Sequence, residues 1–129
     1  MAVMRASDTL VAQAHREAMR ISPAAGAAAL RDVLTPRLAA YVTGVDATRT
    51  VARWAQGETA RLRADHATRL RTAYEIVRLL EGAHEAPETI QAWFLGMSPV
   101  LDDRSPARAL HEGDHAGARA AAVAFLAEG

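Results

Sequence analysis

The sequence of 129 residues contains no cysteine and no lysine, and it has only two residues each of phenylalanine, tyrosine and tryptophan. The absence of cysteine excludes disulfide scaffolds, thiolate zinc sites and cysteine nucleophiles. Because aromatic residues are scarce, the core must be built mainly from alanine, leucine and valine. All fifteen cations other than histidine are arginines, and fifteen acidic residues balance them.

The sequence also lacks a long apolar run. No segment approaches the roughly 20 apolar residues that a membrane-spanning helix needs. A secretory signal peptide needs an apolar centre. The first twenty residues instead carry charges, at Arg5, Asp8, Arg16, Glu17 and Arg20. We therefore expect a soluble, cytoplasmic protein.

The charges are unevenly distributed along the chain. Residues 1–80 carry twelve arginines against seven acidic residues, whereas residues 81–129 carry three arginines against eight acidic residues. A basic first half and an acidic second half favour two surfaces that bind different partners.

The composition and the positions of proline and glycine predict an all-α protein of about seven or eight short helices, because the abundant alanine, leucine and arginine favour helix. Four of the five prolines follow a hydroxyl residue. The hydroxyl can cap the first turn of a helix, and proline in that turn costs no hydrogen bond, because the N–H that it lacks would have no partner there. These pairs are Ser22-Pro23, Thr35-Pro36, Ser98-Pro99 and Ser105-Pro106. We expect Gly57, Gly82, Gly96 and Gly113 to end helices in the left-handed conformation.

The longest predicted helix runs from about Arg61 to Glu81. Its apolar stripe is wide, which predicts burial on two sides and a connecting role between the two halves. Its opposite face is expected to carry an ion pair between Arg71 and Glu75. The predicted organisation is an N-terminal helical extension (1–30), a helix-turn-helix half (31–60), the connecting helix (61–82) and a C-terminal helical domain (83–129).

Residues 36–57 carry the most informative pattern, PRLAAYVTGVDATRTVARWAQG. A helix over residues 36–43 should break at Gly44, and a second helix should begin at Asp46 or Ala47. A short break with glycine between two helices is typical of a helix-turn-helix. The exposed positions that would contact DNA phosphates and base edges are Thr48, Arg49, Thr50 and Arg53.

The same pattern also fits an ordinary helical hairpin with a solvated arginine face. Residues 31–80 hold nine arginines against five acidic residues. That excess is modest for a strong duplex binder, because each neutralised phosphate needs a nearby cation. Both interpretations of the pattern stay open.

The second half contains neighbouring aromatic residues and a dense series of helix starts. Trp93 and Phe94 point about 100° apart on a helix, so one should pack in the core while the other lies near the surface. The two Ser-Pro pairs of this half enclose a compact turn at residues 101–104. Asp114 is expected to cap a last helix over residues 115–127.

These segments together resemble the Xre/MbcA/ParS-like antitoxin family and its toxin-binding domain. The matching runs are TVARWAQG, RLRTAYEIVRLLE and AWFLGMSPVLDDRSPARALHEGDHAGARAAAVAFL, and the resemblance covers about residues 33–127. The family combines an Xre-type helix-turn-helix, a long helix with a tyrosine, and a final helix that starts at Gly-Asp. The corresponding positions are Trp54, Tyr74, Trp93, Pro99, Leu101, Pro106, Leu110, Gly113 and Asp114.

The resemblance implies the antitoxin of a type II toxin–antitoxin pair, a protein that is not an enzyme and needs no cofactor. Its partner would be a RES-domain toxin that degrades NAD, and the C-terminal domain would block the toxin's active site. Operator DNA would be a second partner, bound by the helix-turn-helix for self-repression. Symmetry favours a homodimer or a toxin–antitoxin hetero-oligomer. The residues expected to bind the toxin are Trp93, Phe94, Pro99, Leu101, Asp102, Arg104, Gly113 and Asp114.

The acidic second half adds an expectation about how the toxin is blocked. Sites that bind NAD use cationic side chains for its pyrophosphate. We expect acidic side chains to enter such a site, and the candidates are Asp102, Asp103, Glu112 and Asp114.

Catalysis and metal binding are not expected. His66 lies on the apolar side of the long helix, where a core or rim histidine is the simplest interpretation. His111 and His115 are four residues apart, as in a helical zinc pair, but Gly113 and the cap at Asp114 should break the helix between them.

The alternative is a stand-alone helix-turn-helix regulator whose C-terminal half only dimerises. This regulator would bind duplex DNA without a partner and would carry a self-complementary surface around Trp93 and Phe94. An antitoxin would instead leave an apolar patch exposed until its toxin covers it.

Overall fold

A computed structural model describes residues 6–128, which form eight α-helices and one 3₁₀ turn and contain no strand. The predicted all-α class is therefore confirmed. Residues 1–5, with Arg5 of the predicted extension, and residue 129 lie outside the described range. Within that range, no helix is long and apolar enough to cross a membrane. The elements are α1 (Ala6–Arg20), α2 (Pro23–Leu34), α3 (Pro36–Thr43), α4 (Thr48–Ala55), α5 (Ala64–Gly82), α6 (Pro87–Leu95), the 3₁₀ turn (Pro99–Leu101), α7 (Pro106–His111) and α8 (His115–Glu128).

Three of the four predicted hydroxyl–proline helix starts are confirmed. The hydroxyls of Ser22, Thr35 and Ser105 each accept a hydrogen bond from the N–H three residues further on, at 3.1, 3.4 and 3.0 Å. The hydroxyl of Ser98 makes no such bond. Here the N–H of Leu101 donates to the Ser98 carbonyl instead, at 3.0 Å, and closes a 3₁₀ turn.

The predicted helix ends are confirmed at all four glycines, and the predicted left-handed conformation is confirmed at two of them. Gly57 and Gly113 adopt positive φ angles of 98° and 85°. Gly82 is the last residue of α5 and Gly96 is extended, so the prediction of a left-handed conformation is wrong for both. Because α5 continues through Gly82, the left-handed residue after it is His84, with a φ of 66°.

Helix α5 is the central element of the fold. It packs against α1, α2, α3, α6, α7 and α8. The predicted burial on two sides is confirmed, since most of the helix from its second turn onward is inaccessible to solvent. The buried residues are Leu70, Thr72, Ala73, Tyr74, Glu75, Ile76, Val77, Leu79 and Leu80.

The predicted ion pair between Arg71 and Glu75 is wrong, because Glu75 faces α1 and α8 rather than solvent. Glu75 is only 7% exposed. Arg119 of α8 donates through Nε to Glu75 at 3.3 Å and through Nη2 to the Thr72 hydroxyl at 3.3 Å, and the His15 Nδ1 lies 3.3 Å from Glu75. A buried carboxylate is costly unless it is paired. These contacts therefore hold both α1 and α8 against α5.

The segments of the predicted domain organisation are in contact with one another. The predicted junction between residues 30 and 31 falls inside α2, which packs against α4 and α5. The two halves also touch directly, since the rings of Tyr41 and His111 stack at 4.3 Å and the His111 Nδ1–H donates to the Tyr41 carbonyl at 2.9 Å. The described helices share one apolar core.

The aromatic neighbours on α6 divide as predicted. Phe94 is 0% exposed and lies in the core, while Trp93 is partly exposed at its edge. The two rings meet edge to face at 4.9 Å, and Trp93 also lies 6.4 Å from the ring of Phe125 on α8. The buried ring of Phe94 thus packs against the partly exposed ring of Trp93.

Replacing Phe94 should therefore destabilise the fold far more than replacing Trp93. We expect Phe94→Ala to lower the free energy of unfolding by about 3–5 kcal/mol, because it leaves a cavity in a closed core. Trp93→Ala should cost less than half as much, since solvent can fill the vacated space. Urea unfolding followed by circular dichroism measures both, and equal losses would contradict the assigned orientations.

Candidate nucleic-acid and protein interfaces

Helices α3 and α4 are joined by residues 44–47. Gly44 ends α3 with a φ of 84°, and the Val45 N–H donates to the Ala40 carbonyl at 3.0 Å. Glycine suits this position because a side chain is strained at positive φ. Helix α4 begins at Thr48, slightly later than predicted.

Two side chains of α5 make hydrogen bonds to the ends of α3 and α7. The His66 Nδ1–H donates to the Thr43 carbonyl at 2.8 Å. The Arg69 Nε–H donates to the Leu110 carbonyl of α7 at 3.0 Å. Arg69 also packs beside both left-handed glycines, since a Cβ on Gly44 or Gly113 would lie 3.3 or 3.4 Å from its side chain. One arginine therefore links the turn after α3 to the turn after α7.

Helix α4 has one buried face and one solvated face. Val51 and Trp54 are buried. The four residues predicted to contact DNA lie on the outer side, where Thr48, Arg49 and Arg53 are exposed and Thr50 is partly exposed. The structure thus brings the predicted residues together on one ridge.

Two grooves flank this ridge. Thr50 and Arg53 line a groove of about 520 Å³, together with Arg61 and Arg63 from the loop before α5. On the opposite side, Thr48 and Arg49 line a groove of about 540 Å³, together with Arg37 of α3. Sequence reasoning missed Arg37, Arg61 and Arg63, because their distance along the chain from α4 conceals their proximity to it.

The arginines of the two halves differ in their partners. Within residues 6–128, Arg37, Arg49, Arg53 and Arg61 form no ion pair. In contrast, all three arginines of the second half are paired with carboxylates. These three are Arg104, Arg108 and Arg119. Arginines without an ion pair therefore lie around α4 and also elsewhere in the first half, at Arg16, Arg20, Arg31 and Arg71, whereas the described part of the second half contains none.

Two of the residues predicted to bind a toxin are buried. Phe94 is 0% exposed and Leu101 is 2% exposed, so neither side chain offers surface to a partner in this structure. Both are large apolar side chains that pack in the core. Trp93 is partly exposed, and Pro99 and Asp102 are exposed at the surface.

Arg104, Gly113 and Asp114 form an internal clamp instead of an open contact surface. Arg104 donates through Nη2 to Asp114 at 2.8 Å and through Nη1 to Glu112 at 2.9 Å. Its Nε–H donates to the Leu101 carbonyl at 3.2 Å. Gly113 provides the sharp turn between the two carboxylates. The clamp closes the 3₁₀ turn onto the junction of α7 and α8.

The predicted cap at Asp114 is confirmed, since its Oδ1 accepts from the Gly117 N–H at 2.9 Å. The hydrogen bond from Arg104, together with the one from Gly117, holds the pKa of Asp114 below its ordinary value. Hydrogen bonds from Arg104 and Arg108 likewise lower the pKa of Glu112. Both carboxylates are therefore neutralised within the chain.

Asp102 and Asp103 are the acidic residues of this region that stay exposed and unpaired among the described residues. They adopt positive φ angles of 54° and 66° at the end of the 3₁₀ turn. The set of four acidic residues expected to enter a toxin site is thus reduced to two. The other two, Glu112 and Asp114, are held by arginine.

Exposed apolar residues precede these two aspartates in the chain. Leu95 is 65% exposed, Met97 is 79% exposed and Val100 is 53% exposed. Met97 and Val100 line a groove of about 260 Å³ between the 3₁₀ turn and α8, together with Trp93, Phe125 and the acidic Glu128. We call this region the apolar rim, defined by Leu95, Met97, Val100, Trp93 and Phe125. Sequence reasoning missed its first three members, although apolar residues within the turn sequence LGMSPV were a usable signal.

The histidines have structural surroundings. His66 is the rim histidine that its position predicted, with its ring 6.1 Å from that of Trp54. His111 ends α7 and His115 begins α8, with the left-handed Gly113 between them. Burial lowers the pKa of His115. Within residues 6–128, no three histidine, aspartate or glutamate side chains are placed to hold a metal ion.

Comparison of the chain with protein-family models, with curated proteins and with solved structures gives no match.

The clamp predicts a specific pH dependence of stability. The pKa of Asp114 is lower in the folded chain than in the unfolded chain. Its contribution to stability is therefore complete above the unfolded value of about 3.9, and it is lost as the pH falls through the folded value. Asp114→Asn keeps the helix cap but removes the charge. The variant should have a lower urea midpoint at about pH 7 and a smaller drop in midpoint between about pH 7 and pH 3.

Asp102→Asn provides the matched control, since Asp102 is exposed and outside the clamp. This control should keep the full wild-type drop in urea midpoint between the two pH values. An unchanged pH dependence in Asp114→Asn would contradict the role assigned to the clamp.

Proposed function

We propose that this protein is the antitoxin of a type II toxin–antitoxin pair. Its second half binds and covers a RES-domain toxin that degrades NAD, and its helices α3 and α4 act as a helix-turn-helix that binds operator DNA. The observation that carries the proposal is the apolar rim next to two unpaired aspartates, placed apart from the unpaired arginines of α4.

The apolar rim is the feature that favours a protein partner. Single exposed apolar side chains are ordinary in proteins. Here Leu95, Met97 and Val100 lie close together in the chain and are all more than half exposed. Met97 and Val100 line a groove that the side chains of Trp93 and Phe125 also line. A cluster of methionine, aromatic and aliphatic side chains is typical of the centre of a protein interface.

The charges beside the apolar rim favour a partner with a cationic site. Asp102 and Asp103 extend from the turn that also carries Val100. An enzyme that consumes NAD needs cationic groups for the pyrophosphate. Carboxylates at the edge of an apolar contact would complement such groups and set the orientation of binding. The inhibition is steric, because the antitoxin occupies the entrance that NAD would use.

The arrangement of α3 and α4 favours DNA as the second partner. Helix α4 presents Arg49 and Arg53 on the face opposite its buried Trp54. Neither arginine has an ion pair among the described residues. A surface helix with free arginines can pair with guanine edges or with phosphates in the major groove.

The alternative is a stand-alone regulator in which the apolar rim joins two copies of the chain. That regulator would be a dimer by itself and would bind its operator without another protein. The antitoxin would form a stable complex with the product of an adjacent reading frame. Co-expression with that product, followed by purification and an assay of NAD consumption, separates the two proposals.

The apolar rim should determine toxin neutralisation. We expect Met97→Asp to weaken the complex about 30-fold or more, because a charge would be buried at the centre of the interface. Affinity is measured by titrating the variant against the active toxin and recording the NAD that remains. Restored toxin activity with Met97→Asp is the supporting outcome.

Met19→Asp is the matched control, since Met19 is 59% exposed on α1 and lies outside the apolar rim. This control should neutralise the toxin as the wild type does. If Met97→Asp also neutralises the toxin fully, the apolar rim is not the toxin-binding surface.

The exposed face of α4 should determine DNA binding. We expect the double substitution Arg49→Ala and Arg53→Ala to lower affinity for the operator roughly tenfold or more and to reduce the salt dependence of binding by about two phosphate contacts. The control is Arg16→Ala with Arg20→Ala, an exposed pair on α1 with the same spacing and charge change. Equal losses in both double variants would indicate a non-specific charge effect and would contradict the assignment.

A further inference from the structure

Helix α4 forms a ridge between two grooves, and each groove carries arginine on its far wall. Arg37 of α3 lies across the groove from Thr48 and Arg49. Arg61 and Arg63 lie across the other groove from Thr50 and Arg53. The cations therefore extend to both sides of the helix.

The nearby carboxylates determine which of these arginines are free. Arg63 forms an ion pair with Asp65, with Nε and Oδ1 3.4 Å apart. Arg37 and Arg61 have no such partner among the described residues, and both are exposed. Asp46 lines the groove of Arg37 and Glu58 lines the groove of Arg61, so each groove also contains one opposing charge.

The width of the ridge matches a nucleic-acid groove. An α-helix with its side chains is about 10–12 Å across. The major groove of B-DNA is about 12 Å wide, and its two edges are the phosphates of the two strands. Cations on both flanks of a helix that enters this groove would therefore meet opposite strands.

We propose that Arg37 and Arg61 bind the phosphates of the two opposite strands at the edges of the DNA groove that α4 enters. The inference rests on the proposed binding of DNA by α4, and it adds two residues that contact only the backbone. Arg49 and Arg53 carry the sequence preference, whereas Arg37 and Arg61 position the helix on any duplex.

The test measures how affinity depends on salt for two duplexes of about 30 base pairs, long enough for half-sites one helical turn apart. One duplex comes from the region upstream of the coding sequence, and the other has the same composition in shuffled order. Arg37→Ala and Arg61→Ala should each reduce the slope of log K against log salt by about 0.9 on both duplexes. Arg16→Ala, which removes an exposed arginine from α1, should leave the slope unchanged.

A gain of affinity separates the proposal from a loss caused by misfolding. Glu58→Gln removes the carboxylate that lines the groove of Arg61. This variant should bind both duplexes more tightly than the wild type, and the gain should shrink as salt rises. Glu85→Gln serves as its control, since Glu85 lies beyond α5 and away from both grooves.

The outcomes distinguish this inference from the proposed function. If Arg49→Ala with Arg53→Ala abolishes the preference for the upstream duplex while Arg37→Ala and Arg61→Ala leave the slope unchanged, the inference is overturned and DNA binding by α4 stands. If the wild type binds neither duplex at low salt, DNA binding itself is overturned. If Arg37→Ala and Arg61→Ala reduce the slope of log K against log salt equally on single-stranded DNA, the placement of the two arginines at the edges of a duplex groove is also overturned.

Discussion

Both candidate interfaces depend on the two hydrogen bonds that the first turns of α5 make to the ends of other helices. His66 donates to the last turn of α3 through the Thr43 carbonyl, and Arg69 donates to the Leu110 carbonyl of α7. The turn that leads to α4 and the turn that leads to α8 are thereby fixed to one rigid helix. Arg69 lies beside both Gly44 and Gly113, so a side chain at either position would contact the arginine and would also be strained by the positive φ angle.

This shared attachment explains how one small chain can present two chemically different faces. Glu75 is buried, so it requires Arg119 and His15, and these partners draw α8 and α1 onto α5. The arginines of the second half are all used in such internal pairs, which leaves that half with free carboxylates and apolar side chains. The arginines around α4 have no such partners among the described residues. The opposite charge of the two halves in the sequence thus becomes a separation of two surfaces.

Features that depend on neighbours along the chain could be predicted from the sequence, whereas those that depend on packing could not. The caps at Ser22, Thr35 and Ser105 and the break at Gly44 involve residues within four positions of each other, so the pattern contains the whole interaction. The ion pairing of Glu75 depends on α8, about forty residues further along the chain. The local pattern alone instead favours an i,i+4 pair with Arg71. The same limit applies to the candidate sites. The exposed face of α4 follows from helical period, but the burial of Phe94 follows from the partners of α6, and that of Leu101 from the packing of the 3₁₀ turn against α8.

The residues that most strongly indicate binding are those that contribute little to the stability of the fold. A folded chain gains stability by pairing its charges and covering its apolar side chains, as Arg104 and Phe94 do here. Met97 and Val100 leave apolar surface in water, and Arg49 and Arg61 leave cations unpaired, so none of them gains this stabilisation. Such departures from internal satisfaction are expected where a sequence also serves function. They form two separate groups, one apolar beside free carboxylates and one cationic, which is the arrangement that a protein partner and an anionic partner together would require.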